Sequence, residues 1–331
     1  MKYVFGPVPS RRLGRSLGID PVPLKTCNWN CVYCQLGRST PVVNERKDYF
    51  PPEEILAEIE QVLARHTPGD IDWITFAGSG EPLLHASIGR LIAGVKRMTE
   101  LPVALLTNGS FLHLAEVRDA VLAVDAVLPS IDAGSADIFR KVDRPHPGIS
   151  FEEHVEGLAA FRQSYRGKFW PEVMLVRGLN DTEEALADIA VVLKRLQPDL
   201  VHINVPTRPP AETGVEPPDD EGLMRAVAIL GQSAQVVVPG EADIDLGEFD
   251  TIVDAVIDIV SRHPMREEEI RRVLHRWSPA EVRDALAEVE ASGRVQIIER
   301  FGARFWTAAG SRYSQDGRKR RTGATDRRKR P

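Results

Sequence analysis

The sequence predicts an α/β protein with a small second domain, and three observations support this prediction. From residue 16 to about residue 240, short apolar runs alternate with amphipathic helical patterns, which is typical of repeated βα units. Polar segments, most of them rich in glycine or serine, follow the first four runs. Further along, three more helical patterns and one short hairpin pattern predict a separate, smaller domain.

Six strands are predicted in the first part, at Leu17–Ile19, Ile71–Phe76, Val103–Leu106, Ala126–Pro129, Val173–Val176 and Val201–Val205. Helices lie between them: one has apolar residues at Ile55, Ile59 and Leu63, and another opens with a capping box that begins at Ser150. Repeated βα units imply parallel strands with right-handed crossovers. The strand count alone separates a partial barrel from an open doubly wound sheet only weakly.

The segments that follow the first four strands favour the barrel. They are the cysteine-containing loop after residue 26, Gly78-Ser79-Gly80-Glu81-Pro82, Thr107-Asn108-Gly109-Ser110 and Ser130-Ile131-Asp132. Active sites of βα barrels lie at the carboxyl ends of the strands. We therefore expect these four segments to meet around one cavity, although they are far apart in the sequence.

Composition is that of an ordinary water-soluble chain. The 331 residues are 43% hydrophobic and 27% charged, and the length is enough for about two domains. No segment approaches the ~18 apolar residues of a membrane span, and the first residues lack the apolar run of a signal peptide. Because all three cysteines lie in one motif, a disulfide scaffold is excluded and a reducing, cytoplasmic location without a membrane partner is predicted.

The three cysteines are Cys27, Cys31 and Cys34, in a C-x-x-x-C-x-x-C pattern. Three thiolates at this spacing can hold three corners of a [4Fe–4S] cluster and leave the fourth iron without a protein ligand. A structural zinc site is a weaker interpretation because it needs four ligands, and no histidine lies near the motif. Ordinary buried cysteines are a third interpretation, although these would be scattered through the core.

The motif, with Tyr33 just before its last cysteine, resembles the radical S-adenosylmethionine (radical SAM) superfamily. The resemblance implies a partial (β/α)6 TIM-type barrel. It also implies two cofactors, a [4Fe–4S] cluster on Cys27, Cys31 and Cys34 and S-adenosyl-L-methionine (SAM) bound to the open iron. Reductive cleavage of SAM then yields methionine and a 5′-deoxyadenosyl radical that abstracts hydrogen from a substrate.

The same resemblance assigns SAM contacts at the strand ends. The segment Gly78 to Pro82 looks like the GGEP-type motif of the superfamily, with Ser79 in place of the first family glycine. Backbone at Gly78, Ser79 and Gly80, with the Glu81 carboxylate close by, would then meet the SAM amino group. Three further side chains are candidates for the SAM carboxylate or ribose: Asn108, Ser130 and Asp132. Each also has an ordinary interpretation as a turn or cap residue.

Other polar residues are weaker candidates for substrate or anion contacts. Those on the rim side of the last two strands are Arg177, Asn180, His202, Asn204, Thr207 and Arg208. Near the N-terminus, Arg11, Arg12 and Arg15 form a basic segment that suits a phosphate or carboxylate, with a solvated loop as the equal alternative. None of these positions identifies a substrate.

Three segments are predicted: a barrel at 1–245, a winged-helix-like domain at 246–310 and a basic, disordered tail at 311–331. The small domain has helices at Thr251–Arg262, about 266–275 and from Ser278, then a hairpin. In the third helix Glu281, Asp284, Glu288 and Glu290 outnumber the basic residues, so DNA binding is not expected and docking onto a protein or the barrel is favoured.

The leading hypothesis is an enzyme with one cluster and an unknown substrate. The leader from Phe5 to Gly14 and the segment Arg144-Pro-His-Pro-Gly148 resemble radical SAM oxidoreductases related to wyosine-base synthases, but those carry three additional cysteines that this chain lacks. The resemblance implies an electron donor such as flavodoxin or ferredoxin, and a small molecule, RNA or protein as substrate. The rival hypothesis is a redox-responsive regulator in which a cluster signals to a DNA-binding winged helix.

Overall fold

A curved sheet of mainly parallel strands, covered by helices on its outer side, forms the first part of the chain. The computed structural model describes residues 2–10, 12–237 and 251–314. Its strands here are β1 Val4–Ser10, β2 Gly14–Ile19, β3 Trp73–Phe76, β4 Val103–Thr107, β5 Ala126–Pro129, β6 Lys168–Phe169, β7 Glu172–Met174, β8 Val201–Asn204 and β9 Ala234–Val236. All six predicted strands are therefore present, with small shifts at their ends.

The strands pair in sequence order. One sheet runs β1-β2-β3-β4-β5-β6 and another runs β7-β8-β9, and every pair is parallel except β1 with β2. A parallel bridge between Ser130 and Glu172 joins the two sheets. No pairing between β1 and β9 closes the sheet among the described residues. The prediction of an α/β fold with a parallel, barrel-like sheet is confirmed, and the barrel is partial.

The helices of this part are α1 Pro52–Leu63, α2 Ile88–Met98, α3 Ala115–Val121, α4 Ala136–Val142, α5 Phe151–Ser164, α6 Glu183–Leu196 and α7 Asp220–Leu230. Their apolar sides pack on the outer face of the sheet, where Leu17, Ile74 and Val127 are fully buried. Because strand side chains alternate between faces, the inner face carries a separate small cluster that includes Ala104 and Leu128. The inner face is therefore distinct from the main core.

Residues 251–314 form a second packed unit. It contains α8 Ile252–Arg262, β10 Met265–Arg266, α9 Glu267–Val273, α10 Pro279–Ala291, β11 Val295–Arg300 and β12 Ala303–Ala308. The strands pair in the order β10-β12-β11, around a core that includes Val260, Leu286 and Trp306. The three predicted helices and the hairpin are present, and β10 is an additional strand. We call residues 251–314 the C-terminal domain; its likeness to a winged helix stays a prediction.

Several predictions fall on residues outside the described ranges. These include Arg11, the domain boundary at residues 245 and 246, and most of the basic tail from residue 315 onward. No described helix is long and apolar enough to cross a membrane.

Candidate functional site

The cysteine loop, residues 20–51, leaves β2 at its carboxyl end and leads into α1. Its central part is held by the segment after α4: Asn30 N–H donates to the Asp143 carbonyl at 3.0 Å, and His146 N–H donates to the Asn28 carbonyl at 2.8 Å. Trp29 and Pro145 form an antiparallel bridge between the two segments. The segment around Arg144-Pro-His-Pro-Gly148 therefore fixes the cysteine loop by backbone contacts.

The three thiols are largely shielded from water and lie near one another. Burial raises the pKa of the Cys27 thiol to about 12 and that of the Cys31 thiol well above its usual value, and neighbouring thiolates add to both shifts. The Lys25 ammonium lies 3.0 Å from Cys34 Sγ. Metals bind the thiolate form of cysteine, so the thiol protons leave when a metal binds.

Among residues 2–10, 12–237 and 251–314, no three His, Cys, Asp or Glu side chains form a group suited to a single metal ion. A [4Fe–4S] cluster places a different iron at each of its cysteine ligands, so its thiols need not converge on one point. Three thiols on one loop are a donor set of the kind that a [4Fe–4S] cluster requires.

The loop Gly78–Pro82 follows β3 and contacts the start of the cysteine loop directly. Lys25 N–H donates to the Ser79 carbonyl at 2.6 Å, and Glu81 N–H donates to the Thr26 carbonyl at 3.0 Å. A Cβ added at Gly80 would overlap the Thr26 carbonyl oxygen, so only glycine permits this close approach. The two loops predicted to hold the cluster and the SAM amino group are thus joined by backbone hydrogen bonds.

The Glu81 carboxylate is hydrogen-bonded to other groups of this chain. It accepts hydrogen bonds from Thr107 Oγ1 at 2.5 Å, Asn108 N–H at 2.7 Å and Leu83 N–H at 2.9 Å. Burial raises its pKa to about 7, and these three donors oppose that shift. Glu81 therefore connects the Gly78–Pro82 loop to the end of β4, and its carboxylate is close enough to Cys27 to add to the rise in that thiol's pKa that burial causes.

Asn108 connects the end of β4 to the cysteine motif. Its side-chain N–H group donates to Asn28 Oδ1 at 2.7 Å and lies 3.9 Å from Cys27 Sγ. Its side-chain oxygen Oδ1 accepts a hydrogen bond from Ser110 N–H at 3.0 Å. Asn28 in turn donates to Ser110 Oγ at 2.7 Å. The turn role considered for Asn108 is present, and so is the predicted proximity to the cluster ligands.

Tyr33 and Asp132 are hydrogen-bonded to each other, which brings the cysteine loop and the end of β5 together. The Tyr33 hydroxyl donates to Asp132 Oδ2, and Met174 N–H donates to Asp132 Oδ1 at 2.6 Å. Burial raises the pKa of Asp132 to about 6. Ser130 lies two residues earlier, at the bridge to Glu172, where its N–H donates to the Thr107 carbonyl at 3.0 Å.

The weaker candidates are divided between three places. His202 and Asn204 are buried on the strand β8, near the ion pair of Arg12 with Glu172, and burial lowers the pKa of His202 to about 4. Asn180 is buried and donates to the backbone of Asp132 and Met174, which is a bracing role.

Three other candidates are engaged in ion pairs away from these strands: Arg15 pairs with Asp72, Arg177 with Glu216, and Arg208 with Glu269. Thr207 also has an interaction partner. The predicted basic segment of Arg12 and Arg15 is therefore neutralised by carboxylates of this chain, which weakens its interpretation as an anion clamp.

The C-terminal domain packs on the same side of the sheet as the cysteine loop. Gln35 Nε2 donates to the Arg262 carbonyl at 3.1 Å, Tyr313 Oη donates to the Gln35 carbonyl at 2.6 Å, and Arg38 N–H donates to the Arg312 carbonyl at 2.6 Å. The C-terminal domain thus contacts the barrel, and docking on another protein stays a prediction. Gln35 and Arg38 lie immediately beyond the last cysteine.

Sequence patterns missed four residues of this region. Asp20 directly follows β2, so the strand-end rule that found Asp132 could have found it as well. Asn28 lies inside the cysteine motif. Asp143 is fully buried beside Asp132 and Cys31, and burial raises the pKa of its carboxyl well above the usual value. Arg262 belongs to the C-terminal domain, and its contact with Asp20 has no sequence signal.

Comparison with known proteins places this site in a family. The sequence model of the Radical SAM superfamily matches residues 22–190, which contain the cysteine loop and the ends of the strands β3, β4 and β5. The match covers just over half of the chain. The chain therefore belongs to the radical SAM superfamily.

The chain also matches individual proteins. A UPF0026 protein of Methanocaldococcus jannaschii is 35% identical over 285 residues, which is 83% of this chain and 87% of that protein. A protein of Brachyspira hyodysenteriae named GTPase Obg is 39% identical over 266 residues, or 80% of this chain, and the match spans only 39% of its length. The latter protein's name therefore gives no activity for this chain.

Solved structures of radical SAM proteins also match. SuiB of Streptococcus suis, solved with S-adenosylmethionine bound, is 12% identical with a TM-score of 0.47, and the match covers 63% of this chain and 45% of that one. At this TM-score the likeness carries no separate argument. Membership of the radical SAM superfamily confirms both predicted cofactors, SAM and a [4Fe–4S] cluster, at the level of the superfamily. The relation to wyosine-base synthases stays a prediction.

Proposed function

We propose that this protein is a radical SAM enzyme in which Cys27, Cys31 and Cys34 hold one [4Fe–4S] cluster and the Gly78–Pro82 loop binds SAM beside it. The observation that carries the proposal is the pair of backbone hydrogen bonds between these two loops, Lys25 to Ser79 and Glu81 to Thr26. They fix the cluster ligands and the SAM loop as one unit. A pure cluster sensor has no need for that arrangement.

The chain supplies a site with suitable charge for this cluster. The Lys25 ammonium beside Cys34 and the amide of Asn108 near Cys27 place two donors against the ligand sulfurs. Such donors stabilise thiolates and the added electron of a reduced cluster. When both cofactors are bound, the cluster supplies one electron that cleaves SAM to methionine and a 5′-deoxyadenosyl radical.

Backbone of the Gly78–Pro82 loop meets the SAM amino group in this proposal. The Ser79 N–H already donates to Asp20, and the Ser79 carbonyl already accepts from Lys25 N–H. Among the described residues, the Gly80 carbonyl has no hydrogen-bond partner, and Gly80 is only partly buried. A carbonyl accepts from an ammonium group, so Gly80 is the specific contact we assign within this loop.

Asn108, Ser130, Tyr33 and Asp132 line the remaining side of the SAM site. Asp132 accepts from Tyr33 and Met174, and a carboxylate oxygen can accept more than one hydrogen bond, so ribose hydroxyls can still donate to it. Tyr33 holds this carboxylate beside the cysteine loop. The two residues thus act as a pair, and Asn108 fixes the opposite side near Cys27.

The substrate side is the inner face of the sheet, where Arg12, Glu172, His202 and Asn204 present polar groups. A polar lining favours a hydrogen-bonding substrate, whose class, whether small molecule, RNA or protein, is open. An external one-electron donor such as flavodoxin or ferredoxin completes the reaction. We assign no auxiliary cluster, because the sequence contains only three cysteines.

The test is anaerobic. The protein is reconstituted with iron and sulfide, reduced with dithionite and mixed with SAM, and 5′-deoxyadenosine is quantified by chromatography. We expect product from the wild-type protein and none from Cys31→Ala. A wild-type protein that takes up four irons per chain but forms no 5′-deoxyadenosine would contradict the proposal.

A further inference from the structure

Arg262, the last residue of α8 in the C-terminal domain, reaches the carboxyl end of β2. Its Nε lies 3.7 Å from Asp20 Oδ2, and the two side chains are only 11% and 6% exposed. One guanidinium nitrogen contacts Asp258, and another donates to the Lys2 carbonyl at 3.4 Å. The guanidinium carbon lies 5.1 Å from the centre of the Phe5 ring. Arg262 is therefore fixed on several sides while it faces Asp20.

Asp20 in turn shapes the Gly78–Pro82 loop. Ser79 N–H donates to Asp20 Oδ1 at 3.1 Å, and the Ser79 hydroxyl donates to Asp20 Oδ2. Gly78 has a φ of 120°, and a Cβ there would lie 2.7 Å from the Asp20 carboxyl carbon. Any displacement of the Asp20 carboxylate therefore displaces the loop that carries Gly80.

The charge on Asp20 depends on its neighbours. Burial raises the pKa of Asp20, while the hydrogen bonds from Ser79 and the positive charge of Arg262 lower it. A buried carboxylate without a counter-charge is strongly disfavoured. Without Arg262, Asp20 would lose its positively charged neighbour and keep neutral donors, the N–H and hydroxyl of Ser79 and the backbone of Val22.

We propose that Arg262 is a positioning residue for SAM, and that the C-terminal domain thereby completes the SAM site of the barrel. Arg262 holds the Asp20 carboxylate, Asp20 holds Ser79, and the adjacent Gly80 backbone is placed for the SAM amino group. Arg262 lies outside residues 22–190 that match the superfamily, so the superfamily match assigns it no role. This inference rests on the proposed function and goes beyond it.

The test compares Arg262→Ala, Arg262→Lys and Asp20→Asn with wild type, with Arg271→Ala as the matched control. Arg271 lies in the same domain and forms an exposed ion pair with Glu267. Two quantities are measured: the SAM dissociation constant of the reconstituted proteins by equilibrium dialysis, and amide hydrogen exchange of the peptide that contains residues 77–83 in the proteins without cofactors. Iron content is measured alongside.

We expect Arg262→Ala to weaken SAM binding about tenfold or more, with unchanged iron content and faster exchange in residues 77–83. The KM for SAM should rise while kcat at saturating SAM changes little, because the loop can still close on SAM. Arg262→Lys should recover part of the affinity, Asp20→Asn should resemble Arg262→Ala, and Arg271→Ala should match wild type.

Unchanged SAM affinity and unchanged exchange in Arg262→Ala and Asp20→Asn would overturn the inference. If Arg262→Ala is poorly folded, Asp20→Asn decides alone, because the asparagine oxygen can still accept one bond from Ser79. Failure of the proposed function looks different: the wild-type protein itself would then neither bind nor cleave SAM. Equal loss of affinity in Arg271→Ala would also overturn the specific role of Arg262.

Discussion

The substitution Gly80→Ala tests the contact between the two loops most simply. A Cβ at this position would overlap the Thr26 carbonyl oxygen and lie 2.7 Å from its carbon and 3.1 Å from Val22 Cγ2, and the nearest obstacle is backbone. The overlap can be relieved only if the loops separate, which weakens the hydrogen bond from Glu81 N–H to Thr26 and that from Lys25 N–H to Ser79.

The magnitude follows from these two effects. Overpacking in a rigid site costs about 1–3 kcal/mol, and each lost hydrogen bond about 0.5–1.5 kcal/mol. We expect Gly80→Ala to lower the free energy of unfolding by about 2–6 kcal/mol, and to weaken SAM binding more than tenfold through displacement of the loop. The free energy is measured by urea denaturation under reducing conditions, and the affinity by equilibrium dialysis after reconstitution.

Gly310→Ala provides the matched control. A Cβ at Gly310 would lie 3.8 Å from Leu24 Cδ2, an ordinary contact distance. The unfolding free energy of Gly310→Ala should therefore stay within about 0.5 kcal/mol of wild type. If Gly80→Ala is as stable as Gly310→Ala and binds SAM like wild type, the two loops are not in the tight contact described, and the argument for a joint cofactor site fails.

The remaining predictions concern Glu81 and the C-terminal domain. Glu81 has a pKa raised to about 7 in the folded protein against an ordinary 4.5, so its ionisation destabilises the fold progressively as pH rises through that window. Urea denaturation of the cofactor-free protein should therefore show Glu81→Gln gaining roughly 3 kcal/mol relative to wild type between about pH 5 and about pH 8, and a pH-independent difference would contradict the assigned burial. The full chain should show no sub-micromolar, salt-dependent binding to duplex DNA in a fluorescence anisotropy titration. The reason is that four acidic residues, Glu281, Asp284, Glu288 and Glu290, are exposed on α10 and repel the DNA phosphates. Tight binding with a steep salt dependence would favour the regulator hypothesis.

Much of the barrel could be predicted from local sequence patterns. The strands β2, β3, β4, β5 and β8 are short apolar runs, and such runs stay apolar because they are buried under the helices. The strand β1 was missed because Gly6, Pro7 and Pro9 interrupt its pattern, and β6 because it is only two residues long. Local pattern fails where glycine, proline or short length removes the periodic signal.

The sequence predicted which residues gather at the site, but not the hydrogen bonds that link them. The strand-end rule brought Cys27, Gly80, Asn108 and Asp132 to one place because parallel strands share a carboxyl edge. The rule could not show that the Glu81 carboxylate accepts hydrogen bonds from Thr107, Asn108 and Leu83, because these bonds depend on side-chain geometry.

The role of Arg262 lies further still from any local pattern. Its pairing with Asp20 joins residues from opposite ends of the described chain and exists only because the C-terminal domain docks beside the cysteine loop. Long-range docking of this kind leaves no periodicity or motif in the sequence. It could be found only from the three-dimensional structure.

The most direct test of the central claim is the electron paramagnetic resonance spectrum of the reduced, reconstituted protein with and without SAM. An iron without a protein ligand is free to bind SAM directly, so the account predicts that SAM changes the spectrum of the reduced cluster in the wild-type protein. Gly80→Ala should need a higher SAM concentration for the same change. A spectrum that saturating SAM leaves unchanged would contradict the claim that these cysteines and the Gly78–Pro82 loop form one site.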